Sequence, residues 1–101
     1  MLCLLLSLII SRIEANTNNY SISGRISDER TGSPLPGASI LIKGTYLWAV
    51  SDQKGEFTIQ GIQEGKYQLE VSFLGYVPAT VPVNVNNSIK GLKIQLKENT
   101  L

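Results

Sequence analysis

Gly65-Lys66-Tyr67-Gln68-Leu69-Glu70-Val71-Ser72-Phe73-Leu74-Gly75-Tyr76 is the stretch that decides the fold. Tyr67, Leu69, Val71 and Phe73 alternate with Gln68, Glu70 and Ser72, a period of two that turns one set inward and the other toward water. Glycines bound the alternation on both sides, so the strand begins and ends in turns.

The same grammar extends in both directions. Upstream, Asp52-Gln53-Lys54-Gly55 carries turn chemistry between a short apolar stretch, Tyr46 to Ser51, and a strand over Glu56 to Gln60. That arrangement predicts a hairpin. Gly61 and Gly65 are expected to bracket the next turn. Ala38 to Lys43 is an isoleucine-rich strand that leaves at Gly44, and Asp28 to Gly37 is a loop by its Gly32, Pro34, Pro36 and Gly37. Before the loop, Tyr20, Ile22, Gly24 and Ile26 share one side of an extended segment. Downstream, Val77, Ala79, Val81, Val83 and Val85 share a parity while Pro78 and Pro82 occupy the other, which makes this an edge strand or one broken near Pro82. After a turn over Asn84 to Ser88, Leu92, Ile94 and Leu96 form the inward side of a last strand and Lys93, Gln95 and Lys97 its outer side. Seven short strands with no helical period predict an antiparallel β-sandwich whose facing sheets bury Ile22, Ile40, Phe57, Leu69, Val71 and Ile94.

At 101 residues the chain has room for one domain, and 43% apolar with 17% charged residues is an ordinary globular composition. Nine basic against eight acidic side chains exclude a strong attraction to nucleic acid or to an anionic membrane surface. Leu2 to Ile10 is almost wholly apolar. It is too short to span a bilayer, which takes roughly 20 residues, and suits the apolar core of a secretory signal peptide. Residues 1–15 are therefore read as a signal peptide cleaved after Ala15, although no Lys or Arg precedes the run; a buried N-terminal strand or helix is the alternative. Residues 16–19 come next as a flexible leader, 20–97 as the sandwich and 98–101 as the start of a linker. Cys3 stands at the start of the apolar run, not after it, and so does not fit a lipidation site. The mature chain would hold neither cysteine nor histidine, so no disulfide can form and packing must hold the core.

These shortages also bound the chemistry. Nucleophilic catalysis needs a base beside its nucleophile, and transition-metal sites need His or Cys. Carboxylates remain: Asp28 and Glu29 beside one turn, Asp52 and Glu56 around another. An Asp capping its own turn accounts for them better than a calcium loop, which requires several converging oxygens. The glycines open no helix and so build no phosphate cradle. Lys90, Lys93 and Lys97 read as a solvated strand face. Asn86-Asn87-Ser88 satisfies a glycosylation sequon, a match short enough to arise by chance. No catalytic, cofactor or metal site is expected, nor a small-molecule ligand. Trp48, beside Tyr46 and Leu47, leaves two readings open, core packing or an exposed partner contact.

In order, Gly24 to Asp28, Gly32, Pro34 to Ala38, Lys43-Gly44-Thr45, Asp52 to Phe57, Gly65-Lys66-Tyr67 and Ser72 to Tyr76 resemble the carboxypeptidase-regulatory-like domain. That resemblance covers Tyr20 to about Lys97. It implies a seven-stranded antiparallel Greek-key sandwich of the prealbumin (transthyretin) type. Such domains come after the catalytic domain of certain zinc carboxypeptidases, or directly after the signal peptide of SusC-type TonB-dependent outer-membrane receptors, common in Bacteroidetes. The signal-like start and the lack of room for a peptidase match the second setting. The resemblance therefore implies an exported, non-enzymatic accessory domain on the periplasmic side of the outer membrane, either a fragment of a receptor or a stand-alone relative. Its partner would be a protein or the remainder of the receptor; a secreted carbohydrate- or peptide-binding module is the alternative. The chain departs from the family at Tyr46-Leu47-Trp48-Ala49, where small or polar residues, often a glycine, are usual. Tyr46, Leu47 and Trp48 are accordingly the candidate contact residues.

Overall fold

In a computed structural model, which describes residues 19–100, the alternating segments become seven strands. They are β1 (Tyr20–Asp28), β2 (Ser39–Ile42), β3 (Trp48–Val50), β4 (Glu56–Ile62), β5 (Gly65–Ser72), β6 (Ala79–Val85) and β7 (Ile89–Leu96). The expected signal peptide, most of the leader and Leu101 lie outside the described residues. Two sheets form, ordered β4-β1-β7 and β3-β2-β5-β6. Their facing sides bury Ile22, Ile26, Ile40, Ile42, Phe57, Leu69, Val71, Ile94 and Leu96, including all six core residues expected from the alternation. Each such side chain contributes roughly 1.5–3 kcal/mol by leaving water.

The all-β two-sheet sandwich stands as expected, with one correction to its antiparallel character. β1 and β7 pair in parallel, from Ile22 beside Ile89 to Asp28 beside Leu96, while the other four strand pairs are antiparallel. Parallel neighbours cannot be joined by a tight turn. Here they are the first and last strands, so the rest of the sandwich is the connection between them.

The expected hairpin across Asp52–Gly55 is a second correction. Asp52 does organise the turn, its Oδ1 accepting the Lys54 and Glu56 N–H groups at 2.9 Å each. The flanking strands nevertheless part, β3 to β2 and β4 to β1. The deciding contact is at Gly55: its carbonyl accepts the Ile26 N–H at 2.8 Å, so β1 captures the chain as it leaves the turn. A Cβ at Gly55 would strike the Ile26 carbonyl oxygen, and its φ of 76° favours glycine as well. Local turn chemistry is the same whether the next strand folds back or crosses over.

Gly61 is likewise not a turn residue. With φ of 77° it sits inside β4, where the pairing with β1 shifts by one residue between Tyr20 and Ile22. The turn falls at Gln63-Glu64. Val85 remains in β6, shortening the expected Asn84–Ser88 turn. β6 is an edge strand that keeps Pro82, opposite Gln68. At the C-terminus the Lys97 carbonyl accepts the Val77 N–H at 2.8 Å and the Asn99 N–H donates to the Gly75 carbonyl at 2.9 Å. Sandwich hydrogen bonding thus extends beyond Lys97, through Asn99.

Candidate functional site

The β2–β3 connection shows how sequence places the candidate residues. Gly44 takes a φ of 81°. Thr45 then closes the turn, its hydroxyl donating to the Ile42 carbonyl at 2.8 Å and accepting the Leu47 N–H at 3.0 Å. With the local backbone satisfied in this way, the Tyr46 side chain projects outward and is 99% exposed. Tyr46 lies before β3, not in it. Leu47 turns inward and packs against the core.

Trp48 faces outward and is 63% exposed, which overturns the core-packing reading. Strand parity is the reason. The Ile42 N–H donates to the Leu47 carbonyl and the Ser51 N–H to the Ala38 carbonyl, so the residues between alternate, with Ala49 inward and Trp48 and Val50 outward. Leu41 stands directly opposite Trp48 and Ser39 opposite Val50. Trp48, Val50 and Leu41 thus make one apolar patch at the β3 margin. Toward β6 the same face becomes polar: Glu70 lies opposite Leu41 and pairs with Lys43 at 3.4 Å, and the Ser39 and Ser72 hydroxyls share a 2.7 Å hydrogen bond. The structure therefore brings together Trp48, Leu41 and Val50, with Tyr46 at the strand's entrance, and separates Leu47 from them.

On the opposite sheet, the outer face of β4-β1-β7 forms an open trough of about 850 Å³ whose lining includes Arg25, Glu56, Thr58, Lys93 and Gln95. Neither Trp48 nor Tyr46 borders it, whereas Val50 of the patch lies at its rim. Among the described residues no cluster of three or more His, Cys, Asp or Glu side chains is arranged to hold a metal ion.

Two ties escaped the sequence reading, the link from the expected turn cap Asp28 to Tyr76 and the buried Ser51. Asp28 ends β1, and its Oδ1 accepts the Arg30 and Thr31 N–H groups at 2.8 and 3.1 Å, while Oδ2 accepts the Tyr76 hydroxyl at 2.6 Å. The Tyr76 hydrogen bond, then those from Thr31 and Arg30, hold the Asp28 carboxyl below the usual carboxylate range. That same bond, with burial and the carboxylate's charge, pushes the Tyr76 hydroxyl up to about 12. The second is Ser51, buried, whose hydroxyl donates to the Leu35 carbonyl at 2.6 Å and accepts the Ala38 N–H at 2.8 Å. It ties the proline-rich loop to the end of β3. The signal for both was position: each polar residue sits where a strand meets a turn.

The profile of the CarboxypepD_reg-like domain matches residues 22–101. Among curated proteins, a TonB-dependent receptor of Formosa agariphila is 29% identical over all 101 residues of this chain, which cover 10% of that receptor. The TonB-dependent receptor SusC of Bacteroides thetaiotaomicron is 32% identical over 83 residues, 82% of this chain and 8% of the receptor. The chain thus spans about a tenth of the length of these relatives. Among solved structures, a chain of a type II cohesin–X–dockerin complex from Acetivibrio cellulolyticus superposes with a TM-score of 0.68 at 25% identity, covering 78% of this chain and 58% of that one. The group B streptococcus pilus 2b backbone protein shares the fold at a TM-score of 0.64 and 18% identity, over 80% of this chain and 42% of that one.

Proposed function

Because the chain belongs to the CarboxypepD_reg-like domain family, as found in the N-terminal region of SusC-type TonB-dependent receptors, we propose that it is an exported, non-enzymatic accessory domain of such a receptor. It works by protein contact or as a folded spacer on the periplasmic side of the outer membrane. The observation that carries this reading is the match to TonB-dependent receptors along the whole chain. Residues 1–15 act as the export signal, and the polypeptide beyond residue 100 leads into the remainder of the receptor.

The fold supports the spacer role. Since β1 and β7 run parallel, the chain enters at the Tyr20 end and leaves at the Leu96 end. Eight strand residues at roughly 3.3 Å each hold those ends about 26 Å apart. Of the four candidate carboxylates, the two aspartates are engaged in turns, Asp28 with three donors and Asp52 with two, which supports a non-enzymatic role. The contact role belongs to the Trp48, Leu41 and Val50 patch with Tyr46 beside it.

Reading the DNA beyond the codon for residue 101 tests the proposal: an in-frame plug and barrel is the expected result, and an intact stop codon with no receptor gene nearby would count against it. The exposure of Trp48 and Tyr46 favours, as a second reading, an aromatic platform for a glycan or peptide. A polysaccharide titration monitored by tryptophan fluorescence separates the two, because a spacer leaves the spectrum unchanged.

A further inference from the structure

The four sheet margins are protected unequally. An exposed edge strand presents unpaired N–H and C=O groups to any other chain, and proteins blunt such edges with prolines, bulges and lysines. β6 has Pro82 within it, and because its partner Gln68 directs its carbonyl to the Lys43 N–H on the β2 side, the missing N–H of Pro82 falls on the outer edge. β4 is bent by the bulge at Gly61. β7 combines a bulge at Gly91, φ of 70°, with Lys90 and Lys93. β3 has only its shortness: Trp48-Ala49-Val50 contains no proline, glycine or charge, and no charged residue occurs from Gly44 through Ser51.

Among the described residues, its hydrogen bonding leaves a defined vacancy. Leu47 and Ser51 bond to β2, so alternation directs Ala49 to β2 as well and turns the main-chain groups of Trp48 and Val50 to the open edge. We propose that β3 is a self-association edge, on which a second copy of this chain pairs antiparallel through Trp48–Val50 about a two-fold axis at Ala49. This rests on reading the β3 patch as a contact surface, and names its occupant.

Self-complementarity is what selects a second copy. A two-fold at Ala49 sets Trp48 against the second copy's Val50 and the reverse, each pair exchanging two main-chain hydrogen bonds, as an isologous contact requires. The two Ala49 residues meet at the axis in the closer kind of antiparallel pair, where Cα atoms stand roughly 4.5 Å apart and a small side chain fits. On the outer face the two apolar patches join into one row. With two tryptophans and two valines at its centre, the contact falls below the roughly 1,200 Å² of a stable specific complex, so association is weak and concentration-dependent.

Sedimentation equilibrium of the full chain from about 10 μM to about 1 mM, the range of weak affinities, tests this. The expected result is a mass rising toward that of a dimer, with the Trp48 and Val50 amides exchanging more slowly at high concentration. Trp48→Lys and Val50→Pro should each weaken association at least tenfold. Both preserve the fold, since the Trp48 side chain is exposed and the Val50 N–H makes no ladder bond, and a melting curve checks this. A monomer at every concentration overturns the proposal, as does association that survives Trp48→Lys or leaves both amides unprotected. A fluorescence response to polysaccharide without self-association also overturns it, while leaving the contact reading of the patch standing.

Discussion

The Tyr76 hydroxyl reaches Asp28 across 48 residues of sequence and joins the end of β1 to the loop after β5. Because the Asp28 carboxyl is depressed, its stabilising contribution is present above the ordinary carboxylate value of about 3.9 and is lost as pH falls through its lower folded value. Tyr76 behaves oppositely. Its raised value means a contribution fully present below the ordinary tyrosine value of about 10, lost as pH rises through about 12. Thermal melts monitored by circular dichroism should therefore show Tyr76→Phe melting lower than the parent at neutral pH. The variant should also lose less stability than the parent between those two alkaline values, and an unchanged difference across that range would show that the bond does not couple to folding. Ser51→Ala tests the second junction: it leaves the Leu35 carbonyl and the Ala38 N–H without their buried partner, at a cost of about 1–3 kcal/mol in urea unfolding. Sequence pattern disclosed that Asp28 and Asp52 cap turns, because an Asx turn is local. The partnership of Asp28 with Tyr76 was invisible, because no local rule relates two residues that only the closed sandwich brings together.

At the scale of elements, strand existence and inward parity were legible from alternation alone, as Tyr67 to Phe73 illustrates. What alternation did not convey was pairing. Asp52–Gly55 has hairpin chemistry, yet its strands enter different sheets because Gly55 bonds to Ile26 of β1. Gly61 looked like a turn and is a bulge, since a positive φ serves both. Gly61→Ala has free space for its methyl group but must adopt left-handed backbone, a strain of about 1–2 kcal/mol measurable by urea unfolding. Trp48 illustrates the opposite limit. Its parity in a three-residue strand is fixed by the bonds of Leu47 and Ser51 to β2, contacts that the sequence does not announce, so both burial and exposure were open to it.

For the molecule as a whole, the core is small and shared by both sheets. Leu69, fully buried between them, is the position where truncation should be felt most evenly: Leu69→Ala should cost about 2–5 kcal/mol and unfold both sheets in one transition. The parallel pairing of β1 with β7 makes the sandwich a body with an entrance and an exit at opposite ends, and hydrogen bonds from the Val77 N–H to Lys97 and from the Asn99 N–H to Gly75 hold the departing chain. Such a body suits a domain set in line with others, as the central proposal requires, in which this sandwich serves as the N-terminal accessory part of a TonB-dependent outer-membrane receptor. Immunoblotting of fractionated source cells with an antibody raised against the sandwich tests that claim most directly. The account predicts a single outer-membrane species roughly ten times the mass of this chain, in line with the share of the relatives that it covers. A species of about the 11.0 kDa of the chain, absent from the outer-membrane fraction, would contradict it.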